Sequence, residues 1–433
     1  MTTFLQSRLA VVLVAAIITM CTTQVDAATS PLYRWFLQRD ILIKADCWEP
    51  EPRIMAAGLG FTGILGIPGL NGSNGEQICR AFGGTWNTFD ADVDPPMRSI
   101  TSAASVLSIW IGYGPWAIGK SGFPVEFSWP VQPSTVSPSD FVVTLSDGSH
   151  AHPVGASIFP NFEYNERSTI VLVGDFGNRL DPDNHPDALY PVRLNIVQDD
   201  TPLTCIGPGG KMVSAVGFHY GDGSTPMTGY LGDSGPHLCA AKLSVMDTTG
   251  DFGPFVFSGA LPNHGVALYG DDAQYRLRVM TTGGFSRDGV VAVMPTDFET
   301  FFRIRVHSKA GEVIWITETG VEYDIDGATL EVVGLAELGR AADQDPWVQA
   351  TYTEDHDNQI DIVLKGDEAA MRQITHVHIP AGGGYLPFYN PGGPGNNPTP
   401  GMIYSQPGPP DMQPVWVALD HPWTVTWFNW LVR

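Results

Sequence analysis

Short apolar runs interrupted by turn residues recur along most of the chain. Phe141-Val142-Val143-Thr144-Leu145, Thr169-Ile170-Val171-Leu172-Val173 and Val192-Arg193-Leu194-Asn195-Ile196-Val197 come first. Leu238 to Leu243, Tyr275 to Met280, Val290 to Val293, Phe302 to Val306, Val313 to Thr317, Ile360 to Leu364 and Ile374 to Ile379 follow. Each run is strand-length and rich in β-branched or aromatic residues, and Gly, Pro, Asn or Asp bounds it, which predicts β-strands. Helical spacing is scarce. With 48 Gly and 35 Pro as punctuation, the pattern predicts an all-β fold of one or two β-sandwich domains with long Gly/Pro-rich loops.

The pattern divides the chain unevenly. Residues 28–121 are dominated by Gly and aromatics, and only Met55 to Leu65 and Ala103 to Trp110 could be helical. This segment is expected to cover a sandwich rather than fold alone. Residues 122–295 then form a first β region and residues 296–433 a second. Within the second, residues 380–414 hold ten Pro and eight Gly. Such a stretch is predicted to be a long loop, because Pro removes a ladder donor and blocks a helix. Phe141 to Gly177 and Phe302 to Gly334 share a similar order of strand, turn and strand. All-β chains share that grammar, so chance explains the echo at least as well as duplication.

Phe127-Ser128-Trp129-Pro130-Val131, Pro133-Ser134-Thr135-Val136 and Asp140-Phe141-Val142-Val143 follow one another closely, and Tyr190-Pro191-Val192-Arg193-Leu194 comes later. Residues 122–200 thereby resemble the immunoglobulin-like modules of secreted and surface proteins. Those modules open with a strand, a Pro-Ser-Thr turn and a second strand, and they close on a Tyr-led strand. The resemblance implies a fold, and through it a spacer or adhesive role; fold by itself does not assign function.

The first residues carry a processing signal. Arg8 precedes Leu9 to Cys21, an uncharged apolar run, and Val25-Asp26-Ala27 has small residues at the two positions a signal peptidase reads. Residues 1–27 are therefore expected to be a signal peptide cut after Ala27. The run falls short of the roughly 20 apolar residues a spanning helix needs, so no membrane span is expected after cleavage. The predicted location is extracellular or periplasmic. A hydrophobic fraction of 43% suffices for a packed core. The formal charge of −23 argues against nucleic acid and anionic membranes as partners. It leaves an extracellular protein or a glycan, together with divalent cations.

Cys47, Cys79, Cys205 and Cys239 remain after signal removal. An even number in an exported chain predicts two disulfides, with three connectivities open; chain proximity favours Cys47–Cys79 and Cys205–Cys239. Asn71-Gly72-Ser73 is a glycosylation sequon.

Candidate chemistry is sparse. His376-Val377-His378 lies on a predicted strand, where alternate residues share a face, and two such imidazoles are half of a zinc or copper site. His356, with Asp355 and Asp357 beside it, precedes the neighbouring predicted strand and is the candidate third ligand. Asp175, Asp181, Asp183 and Asp187 crowd one loop and are the best calcium candidates among several acidic turns, which include Asp324-Ile325-Asp326-Gly327. His150-Ala151-His152 sits in a turn context and reads as a solvated loop. Gly232-Asp233-Ser234-Gly235-Pro236 is similar to the nucleophile loop of trypsin-like proteases. It lacks that loop's second Gly before the Pro, and no Ala-His-Cys exists upstream to supply the base. Glu163 and Glu166 are one carboxylate pair among many in an acid-rich chain. The reading that follows is a secreted, non-catalytic β-sandwich protein with a binding or surface-assembly role, holding calcium. The alternative is a secreted metal-dependent enzyme centred on the His-x-His strand.

Overall fold

The computed structural model describes residues 38–59, 65–67, 104–105, 114–117, 120–159, 161, 163–178, 180, 182–228, 237–254, 264–282, 295–338, 358–380 and 411–429. The strands begin with β1 (Asp40–Asp46), β2 (Ile54–Ala57), β3 (Leu65–Ile67), β4 (Ala104–Ser105), β5 (Ser121–Phe127), β6 (Phe141–Leu145), β7 (His150–Ala151) and β8 (Gly155–Ser157). Next come β9 (Thr169–Gly174), β10 (Pro191–Ile196), β11 (Thr204–Gly207), β12 (Lys211–Ser214), β13 (His219–Tyr220), β14 (Leu238–Val245) and β15 (Tyr275–Thr281). The last are β16 (Arg303–His307), β17 (Val313–Ile316), β18 (Tyr323–Ile325), β19 (Ala328–Ala336), β20 (Gln359–Gly366), β21 (Ile374–Ile379), β22 (Asp411–Val417) and β23 (Thr424–Asn429). The all-β expectation holds, and the apolar runs coincide with strands wherever the two can be compared. Val290 to Val293 lies outside the described residues.

Two cores organise these strands. Two four-stranded sheets, ordered β2-β5-β9-β8 and β13-β10-β6-β7, meet around Phe123, Phe127, Trp129, Phe141, Leu172 and Leu194. Trp129 is fully buried, with its indole N–H donating to the Glu49 carbonyl at 2.8 Å. A Cβ on Gly207 would lie 2.1 Å from that indole, so only glycine fits there. The chain's end joins this core: β23 pairs antiparallel with β1 and contributes Val425.

The second core lies within one nine-stranded sheet, ordered β17-β16-β21-β22-β14-β15-β20-β19-β18. Its apolar face carries Leu243, Leu277, Ile304, Val332, Ile362 and Val377, all buried. The sheet curls until its ends approach. Thr319, just beyond β17, bridges to Val332 of β19, and the Gly320 N–H donates to the Val332 carbonyl at 2.9 Å. Asp326 and Gly327, both at positive φ, form the tight β18–β19 turn, as the acidic turn signal at 324–327 suggests.

Three expectations need correction. Met55 to Leu65 does not begin as a helix: Ile54–Ala57 is a buried strand paired with β5. Burial against a neighbouring strand overrides the helix preference of Met and Ala. At Ala103 to Trp110, the described pair Ala104–Ser105 is likewise a strand. The division near residue 295 does not separate the sheets, because β14 and β15 precede it yet lie inside the nine-stranded sheet. Most of the 380–414 loop is outside the described residues, but its end, Asp411 to Pro414, belongs to β22, an interior strand. The echo between Phe141–Gly177 and Phe302–Gly334 has no shared topology: β6 and β9 lie in different sheets, whereas β16 and β19 lie in one.

The outer face of the nine-stranded sheet carries charge. Register places Trp416, Lys242, Arg278, Asp361 and Ala336 in one row across β22, β14, β15, β20 and β19. The first sheet system covers this row. Asp46, at the end of β1, takes Lys242 Nζ at 2.6 Å and Arg276 Nη2 at 3.2 Å. Lys242 also donates to the carbonyls of Cys47 and Trp423, at 3.2 and 2.9 Å. Arg278 grips Asp361 through two bonds, 2.6 and 3.0 Å, and reaches Glu166 of the loop before β9 at 3.0 Å. Burial alone would raise the Asp46 carboxyl; Lys242, Arg276 and Arg278 outweigh it and hold it below its ordinary range.

A buried ion left without its partner is costly, so Asp46→Ala should destabilise by about 3–5 kcal/mol in urea unfolding; a loss under about 1 kcal/mol would show that the network is not what joins the sheet systems. Because the folded pKa of Asp46 is depressed, its contribution is complete above the unfolded value and is lost as pH falls through the folded one. The stability gap between wild type and Asp46→Asn should therefore narrow below about pH 4.

Candidate functional site

The strand pair that carries the two histidines ends in open surface. Arg303, Arg305 and His307 alternate along β16 with Ile304 and Val306, which are buried in the core. Register sets Arg305 between Trp315 of β17 and His376 of β21, and sets Arg303 opposite His378. On the far side of β21, Pro414 and Met412 of β22 lie opposite His376 and His378. Pro414 and Trp416 are two apart on β22, so this row and the row through Lys242 share the outer face of the sheet. At β14, β15 and β20 that face is buried; at β16, β17 and β21 it is partly or fully solvent-exposed. Trp315 is 41% exposed, and its ring lies 5.7 Å from that of His378.

The histidines do share a face, as spacing suggested, with Val377 fully buried behind them. Their surroundings suit an anion better than a metal cation. Burial and then neighbouring cations lower both pKa values, Arg305 and His307 at His376 and Arg303 at His378, where Asp411 opposes the shift. His307 Nε2 and His376 Nδ1 have no hydrogen-bond partner. Among the described residues no third His, Cys, Asp or Glu joins the pair in metal-ligand geometry. His356 lies outside the described residues.

No protein family, curated protein or solved structure matches this chain. Function therefore has to be argued from the surfaces themselves.

The acidic loop is organised by an amide. Asn178 Oδ1 accepts from the N–H groups of Leu180 and Leu189, and its Nδ2 donates to the Asp187 carbonyl at 2.7 Å. Asp175 is exposed and pairs with Lys120 at 2.6 Å. Asp183 and Asp187 are exposed; Asp181 lies outside the described residues, and the described members form no metal-ligand cluster. His150 and His152 are exposed, as expected, but His150 opens the short strand β7, paired with Thr144 of β6, rather than lying in a loop. Asn71 and the Gly232–Pro236 segment lie outside the described residues.

A different set of carboxylates does converge. Glu163, Glu166 and Glu337 are buried and place one oxygen each within 4.8 Å of the others. Glu163 and Glu166 face each other across a turn, with the Glu166 N–H donating to the Glu163 carbonyl at 3.1 Å. At 3% and 1% exposure they leave no cleft in which a sugar could sit between them as between glycosidase carboxylates.

Neither predicted disulfide is formed among the described residues. Cys47, Cys205 and Cys239 are free thiols, and Cys79 lies outside the described residues. Cys205 belongs to the first core, whereas Cys239 packs in a separate patch with Trp48, Met55, Ala240 and Met280. Chain proximity misleads here because the strands that carry the two cysteines enter different sheets. Burial pushes the Cys47 and Cys205 thiols up to about 12, which makes them inert.

Pattern reading missed Arg303, Arg305, His307 and Trp315, although their signal was present: cations and an aromatic at every second position of two predicted strands. Glu337 carried no such signal. Alkylation of the native chain followed by peptide mapping should leave Cys47 and Cys205 unmodified, and both should react once the chain is unfolded without reductant. Recovery of either in a disulfide-linked peptide would contradict the free-thiol assignment.

Proposed function

We propose that this chain is a secreted binding protein whose ligand is an anionic glycan, taken on the open part of the nine-stranded sheet. The observation that carries the proposal is the in-register row Trp315, Arg305 and His376, flanked by Arg303, His307 and His378. The surface is cationic and aromatic on a chain whose formal charge is −23. An exposed indole offers a flat apolar platform for the C–H face of a sugar ring. A guanidinium one strand away, about 5 Å in the hydrogen-bonding direction, suits a carboxylate or sulfate on that ring. The acidic remainder of the molecule repels polyanions, so such a ligand is confined to this face. The immunoglobulin-like resemblance of residues 122–200 and the export signal support an extracellular binding role. The metal-enzyme alternative has less support, because a divalent cation at His376 and His378 would face Arg303 and Arg305 across one strand spacing.

Titration calorimetry with oligogalacturonate and with a sulfated heparin-type oligosaccharide should show binding that neutral cello-oligosaccharide lacks. Arg305→Ala and Trp315→Ala should each weaken it about tenfold, roughly 1.4 kcal/mol, without altering the fold, since both side chains are on the outer face. Affinity should fall with salt. It should rise as pH drops through the lowered histidine pKa values, because His376 and His378 then gain charge facing the anion. Binding that ignores both substitutions, or no binding to either charged glycan, would sink the proposal.

A further inference from the structure

We propose that Glu163, Glu166 and Glu337 bind one calcium ion, which ties the loop before β9 to the end of β19. The three side chains come from both halves of the molecule. Glu163 and Glu166 lie on the turn between β8 and β9, and Glu337 is the first residue after β19. All three are at most 3% exposed. Oxygens that share one calcium lie 2.3–2.6 Å from it, and hence no more than about 5 Å from each other. The observed convergence within 4.8 Å meets that limit.

A cluster of acids alone would not require an ion. A further observation points to one. Glu337 Oε1 is buried and has no hydrogen-bond partner, a state that desolvation makes costly, and the Glu337 carboxylate is the one that converges with those of Glu163 and Glu166. Asp46, Glu163, Glu166, Asp251, Glu337 and Asp361 are buried around Arg278, so the triad lies in a seam rich in carboxylates, where a divalent cation would relieve like-charge repulsion. Glu337 also holds a φ of +56°, a conformation that ordinary side chains avoid and that its surroundings must sustain.

The donor set chooses the ion. Three carboxylates and no nitrogen or sulfur suit a hard cation. Three bidentate carboxylates offer up to six oxygens, the lower bound for calcium. Magnesium keeps several of its waters and so fits poorly in a closed, nearly dry site. The site is distinct from the exposed Asp175–Asp187 loop.

The test uses the full chain, stripped of metal with a chelator and then given calcium chloride alone. Calorimetry should show one saturable site per chain. The melting temperature should rise on the order of 5 °C at a hundredfold excess over Kd. Glu337→Gln keeps the shape and removes a like charge, so it should fold, and it should bind calcium at least tenfold more weakly. Glu163→Gln should do the same, whereas Asp175→Asn with Asp183→Asn should leave binding unchanged. The absence of saturable calcium uptake by the wild type would overturn the proposal, as would uptake that survives both glutamate substitutions. Loss of uptake in the Asp175/Asp183 variant would move the site to the exposed loop. Equal affinity for magnesium would overturn the choice of ion. A wild type indifferent to calcium, together with a more stable Glu337→Gln at neutral pH, would show that the carboxyls relieve their repulsion by holding protons instead.

Discussion

The contact of Asp46 with Lys242, Arg276 and Arg278 joins the two halves of this molecule. A nine-stranded sheet that wraps an apolar core on one side must place something on the other. Here β14, β15 and β20 place Lys242, Arg278 and Asp361 in one row. Charges so placed are tolerated in a buried setting only when geometry answers each of them. Arg278 does this within the sheet through its two-bond grip on Asp361. Lys242 and Arg276 depend on Asp46, which the first sheet system supplies. The two halves are thus bound by a directional interaction. An apolar interface would tolerate sliding; a buried carboxylate shared among three cations sets one relative position.

The same face of the same sheet then serves two purposes. Where the first system covers it, charge is neutralised internally. Where cover ends, beyond β22, the alternation continues and Arg303, Arg305, His307, His376 and His378 emerge in register with one another, with Asp411 near His378 and Glu299 near Arg303 at the edge of the group. The cationic stripe is one feature of the sheet, part buried as a structural contact and part left open. In a strongly acidic protein the open part is a local exception in the field, and this is what supports the proposed anionic ligand there. The converging glutamates lie at the covered end, where the loop before β9 meets the tail of β19. The buried seam and the open shelf are therefore distinct regions with opposite local charge.

Strands were the most legible part of the chain. Phe141–Leu145 and Ile374–Ile379 coincide with β6 and β21 residue for residue, because period-two burial writes itself into composition. Ile54–Ala57 was illegible for the converse reason: all four residues are buried, and a short, fully apolar run with Met and Ala has no period to read. Glu163 and Glu166 were visible only as one acidic pair among many, since their third member comes from another sheet.

The sequence by itself determined the strand content, the side-chain alternation on each strand, the buried position of Val377 behind two histidines, and the acidic balance that argues against polyanion binding over most of the surface. These are local properties: whether successive side chains face core or water depends on residues two apart. Only the tertiary structure decided which strands are neighbours, and everything chemical followed from that. It set Arg305 beside His376, turning a metal-like histidine pair into part of a cationic shelf. It kept Cys205 and Cys239 in separate apolar patches despite their closeness in the chain. It brought Glu337 to Glu163 and Glu166 across more than 170 positions. Strand order in a sheet is settled by the packing of the whole chain, and no local pattern encodes it.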